Sequence, residues 1–265
     1  MTAASGRGAG WARAGRALVR RPVWKGRPVP VGGGARPALR PDATYLVAGG
    51  DARHAAVALE WLAARGARSV VLAGAQPLPD DVLGDLPERF ERCEQATVDL
   101  ASADGVERLA GLLADGRPPL RGVLSLPRQG ADGRLEDLDG PRFGAALAEA
   151  LRGPVELTRR FADGLDFFVL STSVTSLPGR SATVVGSAAD AFLTALAAHR
   201  RAAGLPVVAA AWGPWLDAAD EAPETATAFA GAGVYAAPGG EVLDALLALP
   251  VAGGAGGAGV AGVAR

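Results

Sequence analysis

Asp51, His54, Ser173 and Asp190 are the residues of this chain whose types and placement could carry chemistry. His54 follows the Gly49-Gly50 pair and opens a helical segment. An unperturbed imidazole titrates near neutral pH, so His54 could act as acid or base, with Asp51 orienting its ring. A helix N-terminus works against this by disfavouring the protonated ring. Ser173 lies in the stretch Asp166 to Phe192, which begins as the apolar run Phe167 to Leu170 and continues through hydroxyl-rich Ser171 to Ser176. After a turn at Pro178-Gly179, an Ala-rich helical segment carries Asp190, whose carboxylate could act as a base from a cleft-facing turn or be solvated or arginine-paired. Ser173, His54 and Asp51 suggest a nucleophilic triad, but no nucleophile-elbow sequence accompanies them, and the grouping reads as coincidence.

The elements that must position these residues follow from hydrophobic periodicity. Buried-strand patterns are expected at Thr44 to Ala48, Ser69 to Ala73, Ala96 to Leu100, Arg121 to Leu126, from Phe167, and at Leu205 to Trp212. Helical spacing is expected over Ala55 to Ala64, Asp104 to Leu113, Pro141 to Phe161, Ser181 to Ala203 and Glu241 to Leu249, with Gly66 and Gly204 as C-terminal caps. Apolar strands alternating with helices predict an α/β fold, a Rossmann-like doubly wound parallel sheet. In such sheets the ligand crevice lies beyond the carboxyl ends of the strands, so the loops after Ala48, Ala73, Leu126 and Leu170 should share one cleft. Residues 1–40, rich in Gly, Arg and Pro, read as an arm, and 41–265 as the Rossmann domain. The Gly/Ala/Val tail from Val251 to Ala264 holds at most one short strand.

Composition excludes several classes. A net charge of −1 provides no field for nucleic acid or an anionic membrane, and no apolar run is long enough to span a bilayer. Cys93 is the one cysteine, which fits a reducing cytoplasm, and no His/Cys spacing reads as a metal site. Lys25 is the one lysine, and Tyr45 and Tyr235 are the tyrosines. The arginine-for-lysine and Ala/Gly bias is that of a GC-rich bacterial genome. Trp61 and Trp212 read as core, and His199, beside Arg200 and Arg201, as a solvated helix end.

The run DFFVLSTSVTS, followed by SAADAFLTALAAHRRAAGLPVVAAAWGPW, is similar to the ketoreductase domains of modular polyketide synthases, in the short-chain dehydrogenase/reductase superfamily. YLVAGG, PLRGVLSL and GPRFGAALAEALRGPVEL fit the same scaffold, so the resemblance runs from about Thr44 to about Leu249. It implies NADPH-dependent reduction of a ketone on an acyl chain tethered to a carrier protein. Hydride goes to the carbonyl carbon while a tyrosine donates a proton, a lysine lowers that tyrosine's pKa, and a serine hydrogen-bonds the carbonyl oxygen. A Gly-rich turn at a helix start holds the pyrophosphate.

Measured against that pattern, the serine survives as Ser173, but the tyrosine position is Gly186 and the lysine position falls near Ala150. Asp190 stands where the family has asparagine. In the phosphate turn Gly49 and Gly50 remain, whereas Ala52, Arg53 and Ala55 stand in place of glycines and Asp51 adds a negative charge that Arg53 could offset. The loop after the second strand is Gly74-Ala75-Gln76, without the family's basic residues, and Asp99 is the clear survivor on the adenine side. The expectation is therefore a lost NADPH site and no cofactor, with Gly49, Gly50 and Asp99 vestigial. Arg128, Asp132 and Trp215 take the positions of the substrate groove.

Two functions follow from the resemblance and its departures. One is a ketoreductase-like protein that no longer reduces ketones and binds a polyketide intermediate, carrier-bound or free, or a synthase module. The other is a cofactor-independent cyclase, isomerase or dehydratase using the vacated cleft, for which orientation alone lowers a barrier by several kcal/mol. The start at Met1 without a second catalytic domain fits either a stand-alone protein or an excised module. A homo-oligomer is compatible with both.

Overall fold

Alternation of apolar side chains along each strand sends odd and even residues to opposite faces of a sheet, and both faces here must find cover. The computed structural model of the chain describes residues 11–14, 17–20, 38–126, 133–161, 163–174, 183–217, 236–247 and 259–261. The chain forms two compact units, Met1–Gly33 and Gly34–Arg265. In the first, β1 (Trp11–Ala14) pairs antiparallel with β2 (Ala17–Arg20). The division falls ahead of residue 40 because Leu39 is buried in the core of the larger unit, its amide donating to the Arg65 carbonyl at 3.0 Å.

The larger unit is built on seven parallel strands: β3 (Thr44–Ala48), β4 (Ser69–Gly74), β5 (Arg92–Thr97), β6 (Leu120–Ser125), β7 (Phe167–Ser173), β8 (Val207–Trp212) and β9 (Gly259–Ala261). Their order across the sheet is β5-β4-β3-β6-β7-β8-β9. The chain thus winds outward from β3 to β5, returns to place β6 on the other side of β3, and winds outward again. The switch point lies between β3 and β6, where Leu46 sits beside Val123 and Ala48 beside Ser125.

One face of the sheet, with Tyr45, Val47, Leu72, Leu124 and Val169, is covered by α1 (Ala52–Ala64) and α6 (Gly239–Leu247) through Val57, Trp61, Val242 and Leu246. The other face, with Leu46, Val71, Val123, Phe168 and Leu170, is covered by α3 (Ala103–Ala114), α4 (Gly140–Arg160) and α5 (Val184–Ala202) through Leu109, Leu157 and Leu193. Burying each such Leu, Val or Phe contributes about 1.5–3 kcal/mol. A short α2 (Asp80–Leu83) lies in the connection after β4.

The expected elements are present, with small shifts at their ends. The third expected strand, Ala96 to Leu100, lies instead at Arg92–Thr97. β5 is the sheet edge and most of its side chains are half-buried or exposed, so its polar sequence RCEQAT carries little apolar signal. Gly66 and Gly204 do terminate α1 and α5 with positive φ, 88° and 83°. Arg128, Asp132, Tyr235, Lys25 and the Pro178-Gly179 turn lie outside the described residues.

Candidate functional site

The turn leaving β3 is where backbone geometry does most to shape the site. Gly49 and Gly50 both take positive φ, 71° and 81°, which bends the chain sharply into α1. A Cβ on Gly50 would lie 2.6 Å from the Cβ of Leu126, so the turn presses directly against the end of β6. The Leu126 amide donates to the Ala48 carbonyl at 2.9 Å and fixes that contact.

Asp51 is the N-cap of α1. Its Oδ1 accepts the backbone N–H of His54 at 3.0 Å, and its two oxygens lie 2.9 and 2.8 Å from the ring Nδ1 of the same residue. These bonds, the imidazole's first, hold the Asp51 carboxyl below its ordinary pKa in spite of partial burial. The His54 ring packs 5.0 Å from Trp215, which in turn meets Trp212 edge-on at 5.4 Å.

A cavity of about 790 Å³ opens beyond the carboxyl ends of β3, β4, β6 and β7. Gly49 to Ala52 and His54 form one part of its wall, Gly74 to Pro79 and Asp99 to Ala101 another, and Ser125 and Leu126 the floor at the switch point. The remaining side comes from Ser171 to Ser173 and from the facing turns of α4 and α5, including Ala150, Gly186 and Asp190. The cavity therefore brings Asp51, His54, Asp99, Ser173 and Asp190 to one space. Asp190 ties the end of β7 to α5, because its Oδ2 accepts the Ser173 backbone N–H at 3.1 Å.

Trp215, expected at the substrate groove, is instead 2% exposed and buried against α1 and α6. A Cβ on Gly239 would lie 2.6 Å from its ring, so α6 closes over the indole. Its aromatic size drew it into the core between two helices rather than onto the cavity wall. Tyr45 occupies the opposite end of the sheet from the cavity, where its hydroxyl accepts the Arg40 amide at 2.7 Å. It cannot reach the Ser173 side.

Several lining residues were not singled out from sequence. Gln95 uses its side-chain amide to hold the loop after β4, accepting the Leu78 amide at 2.6 Å and donating to the Leu78 carbonyl at 3.4 Å. Glu149 sits on α4 beside Ala150, and the buried Ser171 hydroxyl has no hydrogen-bond partner among the described residues. The only sequence signal for Ser171 was a hydroxyl replacing an apolar residue at the end of a buried strand.

A doubly wound sheet with a glycine turn at the switch point defines a dinucleotide-binding class of fold. Residues 43–217 match the KR domain family, more than half of the 265-residue chain, and the chain belongs to that family. It is 32% identical over 181 residues to the highly reducing polyketide synthase cm3B of Cordyceps militaris, spanning 66% of this chain and 7% of that protein. It is 36% identical over 180 residues to the polyketide synthase GfsB of Streptomyces halstedii, 66% of this chain and 3% of that protein. Among solved structures it is similar to A-type ketoreductases from a modular polyketide synthase, with 28% identity and a TM-score of 0.73 over 93% of this chain and 52% of that one. The chain thus spans a small fraction of the synthases and about half of the ketoreductase chain.

This membership corrects the expectation that no cofactor is bound. The chain has the NADPH-binding fold of the ketoreductase domains, and the substitutions after β3 leave that fold and its cavity intact. Gly49 and Gly50 keep positive φ in the turn after β3, whatever side chains follow them. The cavity lies where this fold binds a dinucleotide, and the Gly49–Ala52 turn would hold its pyrophosphate while Gly74, Ala75 and Asp99 would face its adenosine. A nicotinamide dinucleotide held there would supply a hydride. The residues that would complete a reduction are a separate matter.

Proposed function

We propose that this chain is a ketoreductase-family domain of polyketide biosynthesis that does not itself reduce a ketone. The observation that carries this reading is the pair Gly186 and Ala150 on the cavity wall, at the positions where the family resemblance calls for a proton-donating tyrosine and its lysine. Reduction of a carbonyl builds charge on oxygen that an acid must neutralise, and a positioned acid is worth about 10²–10⁴ in rate. Ser173 lines the same wall and can hydrogen-bond a carbonyl, but with its ordinary pKa far above neutral a serine hydroxyl does not replace a phenol paired with a cation. The remaining role is to bind a polyketide intermediate, carrier-bound or free, or to hold a synthase module in register, in the cytoplasm where a free Cys93 persists.

The test is turnover. Purified chain is mixed with NADPH and a β-keto thioester, and nucleotide absorbance and alcohol product are followed. The expected result is no oxidation above background; stoichiometric alcohol formation would overturn the reading.

A second reading, a cofactor-independent cyclase, isomerase or dehydratase, is favoured by one observation. His54 on the cavity wall is held by Asp51 at 2.8 Å, an arrangement that fixes one ring nitrogen and leaves the other for acid/base work. Loss of product in His54→Asn with unchanged substrate affinity would support it.

A further inference from the structure

The helix that should greet a pyrophosphate already greets a carboxylate. The first N–H groups of a helix carry partial positive charge and are a ready anion site, which is why dinucleotide folds aim a helix N-terminus at the phosphates. In α1 that position is served by Asp51, whose Oδ1 accepts the His54 N–H at 3.0 Å while the carboxylate also takes the His54 ring. Asp51 lines the cavity together with Gly49, Gly50 and Ala52, the turn that would hold the pyrophosphate. Its depressed pKa keeps it anionic at neutral pH. Elsewhere in the described lining the charged groups are Asp99, Glu149 and Asp190, with no arginine or lysine among them.

We infer that Asp51 acts as a built-in phosphate surrogate that sets how weakly the cavity holds an anionic dinucleotide. The carboxylate occupies the helix's electrostatic site from within the chain, so an incoming pyrophosphate meets a like charge and a donor already in use. The inference concerns affinity alone, and it rests on the family fold rather than on the absence of reduction. A neutral acyl chain entering the same cavity meets no such opposition.

The neutral replacements Asp51→Asn and Asp51→Ser separate charge from structure, because both side chains still cap a helix. NADPH binding is measured by nucleotide fluorescence and by calorimetry at low salt on the whole chain, with circular dichroism and a melting curve to verify folding. Both folded variants are expected to bind NADPH about tenfold more tightly than the wild type, a change of about 1.4 kcal/mol, with the gain shrinking as salt rises. Equal or weaker binding by folded Asp51→Asn overturns the inference, and so does a gain insensitive to salt. Keto thioester reduction is followed separately in the same samples. Turnover by the wild type would sink the proposed function without touching this one, and unchanged affinity would do the converse.

Discussion

The Cβ that Gly50 lacks would lie 2.6 Å from the Cβ of Leu126. That close approach joins the first strand's turn to the strand on the far side of the switch point, and it makes the cavity floor. Because φ at Gly50 is 81°, any side chain there meets backbone strain as well as the clash. Gly50→Ala is expected to destabilise the chain by about 2–3 kcal/mol. Gly49→Ala, with φ of 71° and its nearest neighbour at 3.7 Å, should cost only the strain, about 1 kcal/mol. Urea unfolding of the two variants checks the difference.

Asp244 on α6 accepts the Trp61 indole N–H at 2.8 Å and the Arg65 Nε at 2.9 Å, and pairs with the Arg65 Nη2 as well. The Arg65 side chain is 11% exposed, so removing its partner strands a mostly buried cation. Asp244→Ala should therefore lower stability by about 2–4 kcal/mol. Asp244→Asn, which still accepts from Trp61, should lose less. Melting temperatures of both variants at one salt concentration give the comparison.

The Asp51 carboxyl has its pKa lowered in the folded state, chiefly by the His54 side chain. A group with a depressed folded pKa contributes stability above its unfolded value and loses it as pH falls through the folded one. Its contribution should be intact at neutral pH and fade only below about pH 4. Stability against pH, compared with Asp51→Asn, should show the two curves converging in that acid range.

If the missing acid and cation are what prevent reduction, restoring them should restore it. Gly186 and Ala150 both line the cavity, so new side chains there would stand at its wall. Gly186→Tyr combined with Ala150→Lys is expected to oxidise NADPH with a keto thioester about 10²–10⁴-fold above the wild-type background at saturating nucleotide. Gly186→Tyr alone should gain much less, since its phenol would keep an ordinary pKa near 10. Initial rates across pH measure both.

Local chemistry made the fold legible from the chain itself. Apolar runs as short as Phe167 to Leu170, bounded by turn residues, favour buried strands, Gly66 and Gly204 end their helices with positive φ, and strand-helix alternation leaves few topologies open. The reading of Gly186 and a position near Ala150 as the places of the family's tyrosine and lysine likewise rests on the resemblance in the sequence and uses no coordinates. The edge strand β5 was misplaced because an edge buries little, and its polar residues carry no period.

Contacts between residues distant in the chain were decided only by the tertiary structure. Trp215 could have lined a groove or filled a core, and the packing of α1 and α6 chose the core. Asp51 and His54 pair locally at the helix start, but only the fold sets that pair on a cavity wall shared with Ser173 and Asp190. The cofactor expectation failed for the same reason. Residue identity reports which side chains are missing, whereas a dinucleotide crevice is shaped by backbone curvature and strand order, and these survive the loss of individual glycines.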